Sequence, residues 1–496
     1  IGDTEIVRMM YFAVRDRNWG TVPSRIVQEK LEQKAGGFEV QLTVESVQHD
    51  IDFSARISIT GEQDRIMFSV SGQANSSFLK NRIGICVLHP LRECAGKPAR
   101  VLHPDNSSEP FRFPEQVSPE QPVKEIRELE WDPRPEIHAR LSFDGDVFEM
   151  EDQRNWTDAS FKTYCTPLSL PFPVPVEKGE TLQQSVVLMA EVKEKSGTKP
   201  GKRILLEWDE SHSYRLPEIG LGVSSREEMM QEEEAEVFSC ISVSRLRADI
   251  RLTAQAWPDE LKKAMHESAL LRKPLFVCLY LDDDFNDQLQ AFLGAARAVR
   301  LQAVMPVNRQ HMPHPRFREI AAALRGAFPG IRVGTGVNAY FAELNRNRPD
   351  TDHADFISFA ATPQVHAFDE LSLVENQEGL TAAVRSARKL FPRLPVWISP
   401  LTLKQRFSVV ATAEETATAG QLPPQVDRRQ SSVFAASWTL GVISQLARTG
   451  AAAVDLFETA GWRGIVQGKF KPPLPGLFPA LPGETFPVFH LLQMLN

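Results

Sequence analysis

Long apolar runs are missing from this sequence of 496 residues, and none of its hydrophobic stretches would span a bilayer as a helix. A basic excess is missing too. Lysine and arginine total 56 against 64 aspartates and glutamates, and the formal net charge of −8 counts against a nucleic-acid binder. Cysteine is scarce: Cys86, Cys94, Cys165, Cys240 and Cys278 show no CxxC and no zinc-ligand spacing. Reduced thiols and a cytoplasmic setting are the simplest expectation. The opening IGDTEIVRMM lacks both an initiator Met and the charged-then-apolar pattern of a signal peptide, so secretion is not expected and native ends are expected to be missing.

Several catalytic signatures are also missing. HExxH, the GxSxG nucleophile elbow and the P-loop do not occur, and GTGVNAY (334–340) has neither a lysine nor a third glycine. A serine-hydrolase mechanism is therefore disfavoured, and water activated by a carboxylate or a histidine fits better. No cofactor and no metal is called for. The expected partner is a small molecule, with neither nucleic acid nor membrane.

What is present divides at about residue 235. Over 1–235, FEVQLTVESV, DIDFSARISIT, RIMFSVSG, RIGICVLHPL, IHARLSFDG, TLQQSVVLMAEV and RILLEWD show β-branched or aromatic content with partial period-two alternation. Gly, Asn, Asp and Pro punctuate them, which predicts an antiparallel β-sandwich. Within it, His89, Arg92, His103 and Asp105 either form a ligand-facing rim or hold long connections in place. The acidic run REEMMQEEEAE (226–236) reads as a solvated linker or a short exposed helix.

From 236 to 496 strands and helices alternate. SRLRADIRL, PLFVCLYLD, LQAVMPVN, IRVGTGVNAYF, DFISFAATPQV, PVWISPLTL and AAAVDLFET are seven strand candidates, and GIVQGKF is the best eighth. This rhythm predicts a (β/α)8 TIM-like barrel. A doubly wound open sheet is the alternative, weakened by the lack of a glycine-rich turn after the first strand.

Barrel chemistry gathers at the carboxyl ends of strands. Glu458 follows the buried-looking run AAAVDLF and precedes TAGWRG, so it is available as base, acid or nucleophile, or it is salt-bridged to Arg463. His366 with Asp369 could be a general base and its orienting acid, or a structural histidine. Asn338, Tyr340, Trp462 and Arg463 are candidate substrate contacts. So is the stretch FEMEDQRNWTDASFKTY (148–164), where Glu149, Glu151, Asp152, Asn155 and Trp156 offer acceptors, donors and a flat apolar face to a hydroxyl-rich ligand. A charged loop with an arginine–carboxylate network would look the same.

Longer motifs carry a resemblance. VRDRNWGT (14–21), LHPLRECAGKP, FPEQVSPEQPVKEIRELEW, the 148–164 stretch, AYFAELNRNRP, FAATPQVHAFDE, AASWTLGVISQLARTG and FETAGWRG resemble, in order, the D-apionate lactonases of bacterial sugar-acid catabolism. The resemblance implies hydrolysis of the lactone of a branched sugar acid. It also implies a β-sandwich, a TIM barrel and a C-terminal β-domain, the last expected to be absent or incomplete here. Lactone hydrolysis would have Glu458 or the His366–Asp369 pair activate water. Asn338, Arg463 or Asn155 would supply donors, and Glu151 or Asp152 would hold hydroxyls from the sandwich side. A TIM-barrel glycoside hydrolase using Glu458 is the alternative, and it would need a partner acid on the facing strand. A non-catalytic carbohydrate-binding protein is the third reading; it would need an aromatic platform, and aromatics make up only 8% of the chain.

Overall fold

A computed structural model describes residues 1–193, 211–407 and 420–496. The strand expected at RILLEWD (203–209) lies outside the described residues. Residues 1–153 and 160–193 group into one compact unit, and residues 154–159 group with 211–407 and 420–496 in the other.

The first unit contains two antiparallel sheets. One runs in the order Met9–Asp16, Phe78–Pro90, Ser160–Tyr164, Phe148–Asp152 and Val123–Ile126, with Val174–Val176 also pairing to Phe78–Pro90. The other has nine strands and includes the long meander from Ser24–Lys34 to Arg65–Ala74. Alternation explains the sandwich-like packing. In Ile137–Asp144 every second residue is buried, so one face is apolar and the other is not. Phe143 on Phe148, with ring centroids 4.7 Å apart, and Phe113 on Phe161, at 5.3 Å, show the aromatic filling between strands.

The second unit is a parallel barrel. Its strands in chain order are Glu218–Gly222, Arg245–Arg251, Leu275–Tyr280, Leu301–Val307, the split pair Arg332–Val333 and Thr335–Gly336, Ile357–Ala361, Val396–Leu401 and Ala453–Ala460. Each pairs with the next, the fifth through its two halves, and the eighth pairs back to the first. Two sequence expectations change here. The first strand is Glu218–Gly222, which lies before residue 236 and whose two glycines hid its strand character. GIVQGKF supplies only a short ribbon, Gly464–Val466, added alongside the eighth strand. Glu458 therefore ends the eighth strand, not the seventh. The acidic run takes the second of its two readings: Glu232–Val237 is a short helix with Glu232, Glu233 and Glu236 exposed, while Arg226 grips the buried Glu234 with bonds of 2.7 and 2.6 Å.

Because helices cover the outside of such a barrel, outward residues must be apolar and inward ones can be polar. The second strand shows this plainly. Leu246, Ala248, Ile250 and Leu252 are buried apolar residues, while the alternate set is Arg245, Arg247, Asp249 and Arg251. No helix among the described residues is long and apolar enough to cross a membrane.

Candidate active site

The end of the eighth strand is distorted in a way that matters for chemistry. Leu456 pairs with Leu221 and Glu458 with the next residue, Gly222, so Phe457 is an extra, bulged residue. Its φ is +45°, unusual for a side chain of that size. Ala453 and Asp455 share one side of the strand, and unbroken alternation would put Glu458 on the other. The bulge reverses that parity and turns Glu458 into the mouth. Gly222 makes the room: a Cβ there would lie 2.6 Å from the Phe457 carbonyl oxygen.

Glu458 is buried and held from two sides. Ser225 donates to its Oε2 from both backbone N–H and hydroxyl at 2.8 Å, and Arg463 ion-pairs with Oε1. It lines a narrow cleft of about 10 Å³, room for roughly one water, together with Lys404, Arg406, Asp427, Trp462 and Arg463. A neighbouring cleft, likewise of about 10 Å³, is lined by Asn338, Tyr340, Phe407 and the same Arg406.

Beneath Arg406 lies a network that the strand-end survey passed over. Arg247 clamps Asp249 at 2.9 and 2.8 Å, and Arg406 adds a bond of 2.7 Å to the same carboxylate. Burial alone would raise the pKa of Asp249, but the guanidiniums of Arg247, Arg406 and Arg251 outweigh it and hold the carboxyl well below the usual range. Asn338 joins Asp249 at 2.7 Å and also bonds Tyr280, whose hydroxyl meets His311 Nδ1 at 2.8 Å. His311 is pushed down to about 4, chiefly by burial and then by Arg406, so its ring is neutral at pH 7. The signal for this group was the charge alternation in SRLRADIRL. Read as barrel strand rather than as solvated edge, it calls for a polar interior.

The remaining candidates separate. His366 does carry a carboxylate on Nδ1, at 2.6 Å, but it belongs to Asp158. Asp369 is the N-cap of the helix Glu370–Glu375, accepting from the backbone and hydroxyl of Ser372 at 2.9 and 2.7 Å. An acid three residues away was the natural partner to expect. The real one comes from a segment more than two hundred positions earlier. Trp156 stands edge-on to His366 with centroids 5.6 Å apart, Arg346 covers its ring at 5.2 Å, and Asn345 donates to Asn155 at 3.2 Å. Gly379 is what admits this segment, since a Cβ there would sit 2.2 Å from the Thr157 carbonyl oxygen.

Glu149, Glu151 and Asp152 instead have partners in the sheet unit. Tyr164 and the Leu168 N–H donate to Glu149 at 2.6 and 2.7 Å, Lys162 pairs with Glu151, and the Ser118 N–H donates to Asp152 at 2.9 Å. His89 is buried against Thr163 and lowered to about 3 by desolvation, so it is a core histidine and not part of a rim.

A closed parallel barrel whose carboxyl ends collect a glutamate beside a bulged, positive-φ Phe457, cationic side chains and two clefts defines a TIM-barrel protein. The chain belongs to the D-apionate lactonase family: residues 1–193 match that family's N-terminal domain and residues 219–496 its TIM barrel domain. A D-apionate lactonase of Brucella anthropi is 29% identical over 500 residues, covering 95% of this chain and 81% of that protein. Among solved structures, a GH36 alpha-galactosidase of Geobacillus stearothermophilus aligns over 90% of this chain and 72% of its own at 11% identity, with a TM-score of 0.27. A putative aldose 1-epimerase of Escherichia coli K12 covers 33% of this chain and 69% of its own at 10% identity and a TM-score of 0.23. Likeness at these scores bears on neither fold nor chemistry.

Proposed function

We propose that this chain hydrolyses a sugar-acid lactone, D-apionolactone to D-apionate, with Glu458 as the base that activates water. The observation that carries this reading is the bulge at Phe457, which turns the Glu458 carboxylate into a cleft lined by Lys404, Arg406 and Arg463. Family membership and the relative's activity supply the substrate class.

Glu458 takes a proton from water as the oxygen adds to the lactone carbonyl. The ring C–O bond then breaks and the proton passes from Glu458 to the departing alkoxide, leaving a hydroxyl and a carboxylic acid, which releases its own proton to solvent and becomes the carboxylate. The cleft's cations suit the negative charge that develops on the carbonyl oxygen and remains on the product. Asn338, Tyr340 and Trp462 offer the sugar polar and flat surfaces. His366, oriented by Asp158, is the second candidate base. The cysteines are all free, which supports a reducing, cytoplasmic setting.

A glycoside hydrolase would need a second carboxyl group kept protonated to serve as general acid. Asp249 is held down by its arginines. For Asp427, burial acts upward but the bonds from Arg429 and Gln364 win, so it too stays charged. Neither suits that role.

Proton release followed with a pH indicator tests the proposal on D-apionolactone, simple aldonolactones and nitrophenyl glycosides. Turnover fastest with the branched lactone is expected. Cleavage of a glycoside with no lactone turnover would refute it.

A further inference from the structure

Hydrogen-bond polarity fixes more of the mouth than positions alone reveal. Asn338 Oδ1 accepts from Arg247 at 2.9 Å and also from Arg406. Guanidinium groups can only donate, so this atom is the amide oxygen. The amide nitrogen then faces Asp249, an ionised carboxylate that can only accept, and its second hydrogen goes to the Tyr280 oxygen. The Tyr280 proton is left to point at His311 Nδ1, 2.8 Å away. A neutral imidazole that accepts at Nδ1 carries its hydrogen on Nε2.

The ring is also held in place. His311 stacks on Phe407 with centroids 3.9 Å apart and planes at 12°. Its backbone sits at φ +65°, and its carbonyl accepts from the Asn338 N–H at 2.9 Å. Nε2 makes no hydrogen bond to any described residue, and the side chain is only partly buried. Phe407 lines the cleft with Asn338 and Tyr340, and Arg406 borders both that cleft and the one containing Glu458.

We propose that His311 is a locked neutral donor whose Nε2–H binds the lactone carbonyl oxygen and stabilises the oxyanion formed there. This deepens the lactonase reading and rests on it. The chain Arg247/Arg406–Asn338–Tyr280 works as a positioning relay that selects the tautomer. Donation by a neutral ring stabilises the oxyanion without protonating it, and leaves proton transfer from water to the leaving alkoxide to Glu458.

Two measurements test it on the whole chain. Histidine-selective 15N NMR of the wild-type protein near pH 7, with the signal assigned by its loss in His311→Gln, is expected to show hydrogen on Nε2 and a bare Nδ1. Tyr280→Phe is expected to release that preference. With D-apionolactone, His311→Ala is expected to lower kcat by about a hundredfold or more with KM within a few-fold, the size of losing one oxyanion donor. His311→Gln, which keeps an N–H near the Nε2 position, is expected to recover part of it.

Hydrogen found on Nδ1 in the wild type would overturn the proposal whatever the variants do. So would unaltered kcat in a folded His311→Ala while the wild type turns lactone over, and that result would leave the lactonase reading standing. Wild-type protein inert toward every lactone would overturn the lactonase reading and with it the ligand assigned to His311, whereas the NMR result would still report the donor itself.

Discussion

One strand carries two paired charges four residues apart, one fully buried and one half-buried, and their surroundings differ completely. Arg245, at the floor of the barrel, is fully buried; it pairs with Asp455 at 2.9 Å and lies 4.2 Å over the ring of Trp397. Phe276, Phe356 and Trp397 close that end, and Gly220 leaves no room even for a Cβ, which would come 2.1 Å from Asp455. Asp249, at the mouth, is just as firmly paired, yet its partners Arg406 and Asn338 line open clefts. A buried charge is therefore not in itself a sign of chemistry. What distinguishes the mouth is the bulge at Phe457, which brings Glu458 to the lining of a cleft.

If mouth and floor divide the labour, substitutions should separate activity from stability. The largest expected effect is on the geometry of Glu458. Gly222→Ala forces a Cβ against the Phe457 carbonyl and displaces the bulge, so kcat/KM with D-apionolactone should fall by about a hundredfold, as expected when a reacting group is misplaced by about 1 Å. Steady-state kinetics checks this, and an unchanged value would mean that the bulge does not set the carboxylate's position.

Asp455→Asn should do the reverse. It removes the buried one of the two carboxylates paired with Arg245, leaving the half-exposed Glu218 at 3.1 Å, and should destabilise the fold by at most about 3–5 kcal/mol in urea unfolding, while kcat per folded molecule stays as it was. Loss of kcat at full stability would erase the distinction between floor and mouth.

The smallest effect is on pH dependence. His311 faces Arg406, Arg251, Asp249 and Tyr280, and its pKa in the folded protein is about 4 against an ordinary 6.5. A depressed folded-state value means the associated stability is complete above about pH 6.5 and is lost as pH falls toward and through 4. Wild type should therefore lose more stability than His311→Gln over that window. The difference should be at most about 1.4 kcal/mol per pH unit, and less because the ring is partly exposed. Parallel unfolding curves across pH 7 to 4 would contradict it.

Much of this was legible in the residues. Period-two alternation announced the sheets, and the strand–helix rhythm announced the barrel, because each periodicity reflects which faces are buried. Glu458, Asn338, Tyr340, Trp462 and Arg463 were singled out by reading strand ends, and they line the two clefts. The first strand was not, because Gly220 and Gly222 give no hydrophobic signal and are needed only where Asp455 and Phe457 press close. Asp158 was missed as the partner of His366 because the two meet through tertiary packing, with Asp369 a nearer and plausible decoy. Arg247, Asp249, Tyr280 and His311 went unnoticed for another reason. Their roles depend on facing inward, and that is decided only once the barrel closes.

The carboxylate turned inward at Glu458 is the group proposed to perform the hydrolysis. The most direct test is Glu458→Gln, followed by proton release from D-apionolactone and by urea unfolding on the same preparation. The amide keeps an oxygen for the Ser225 donors but turns its NH2 toward Arg463, so unfolding should shift by about 1–3 kcal/mol with the fold retained, while kcat falls by about 10²–10⁴-fold, the range for removing a general base. Full activity in a stably folded Glu458→Gln would contradict the account and shift attention to His366 and Asp158.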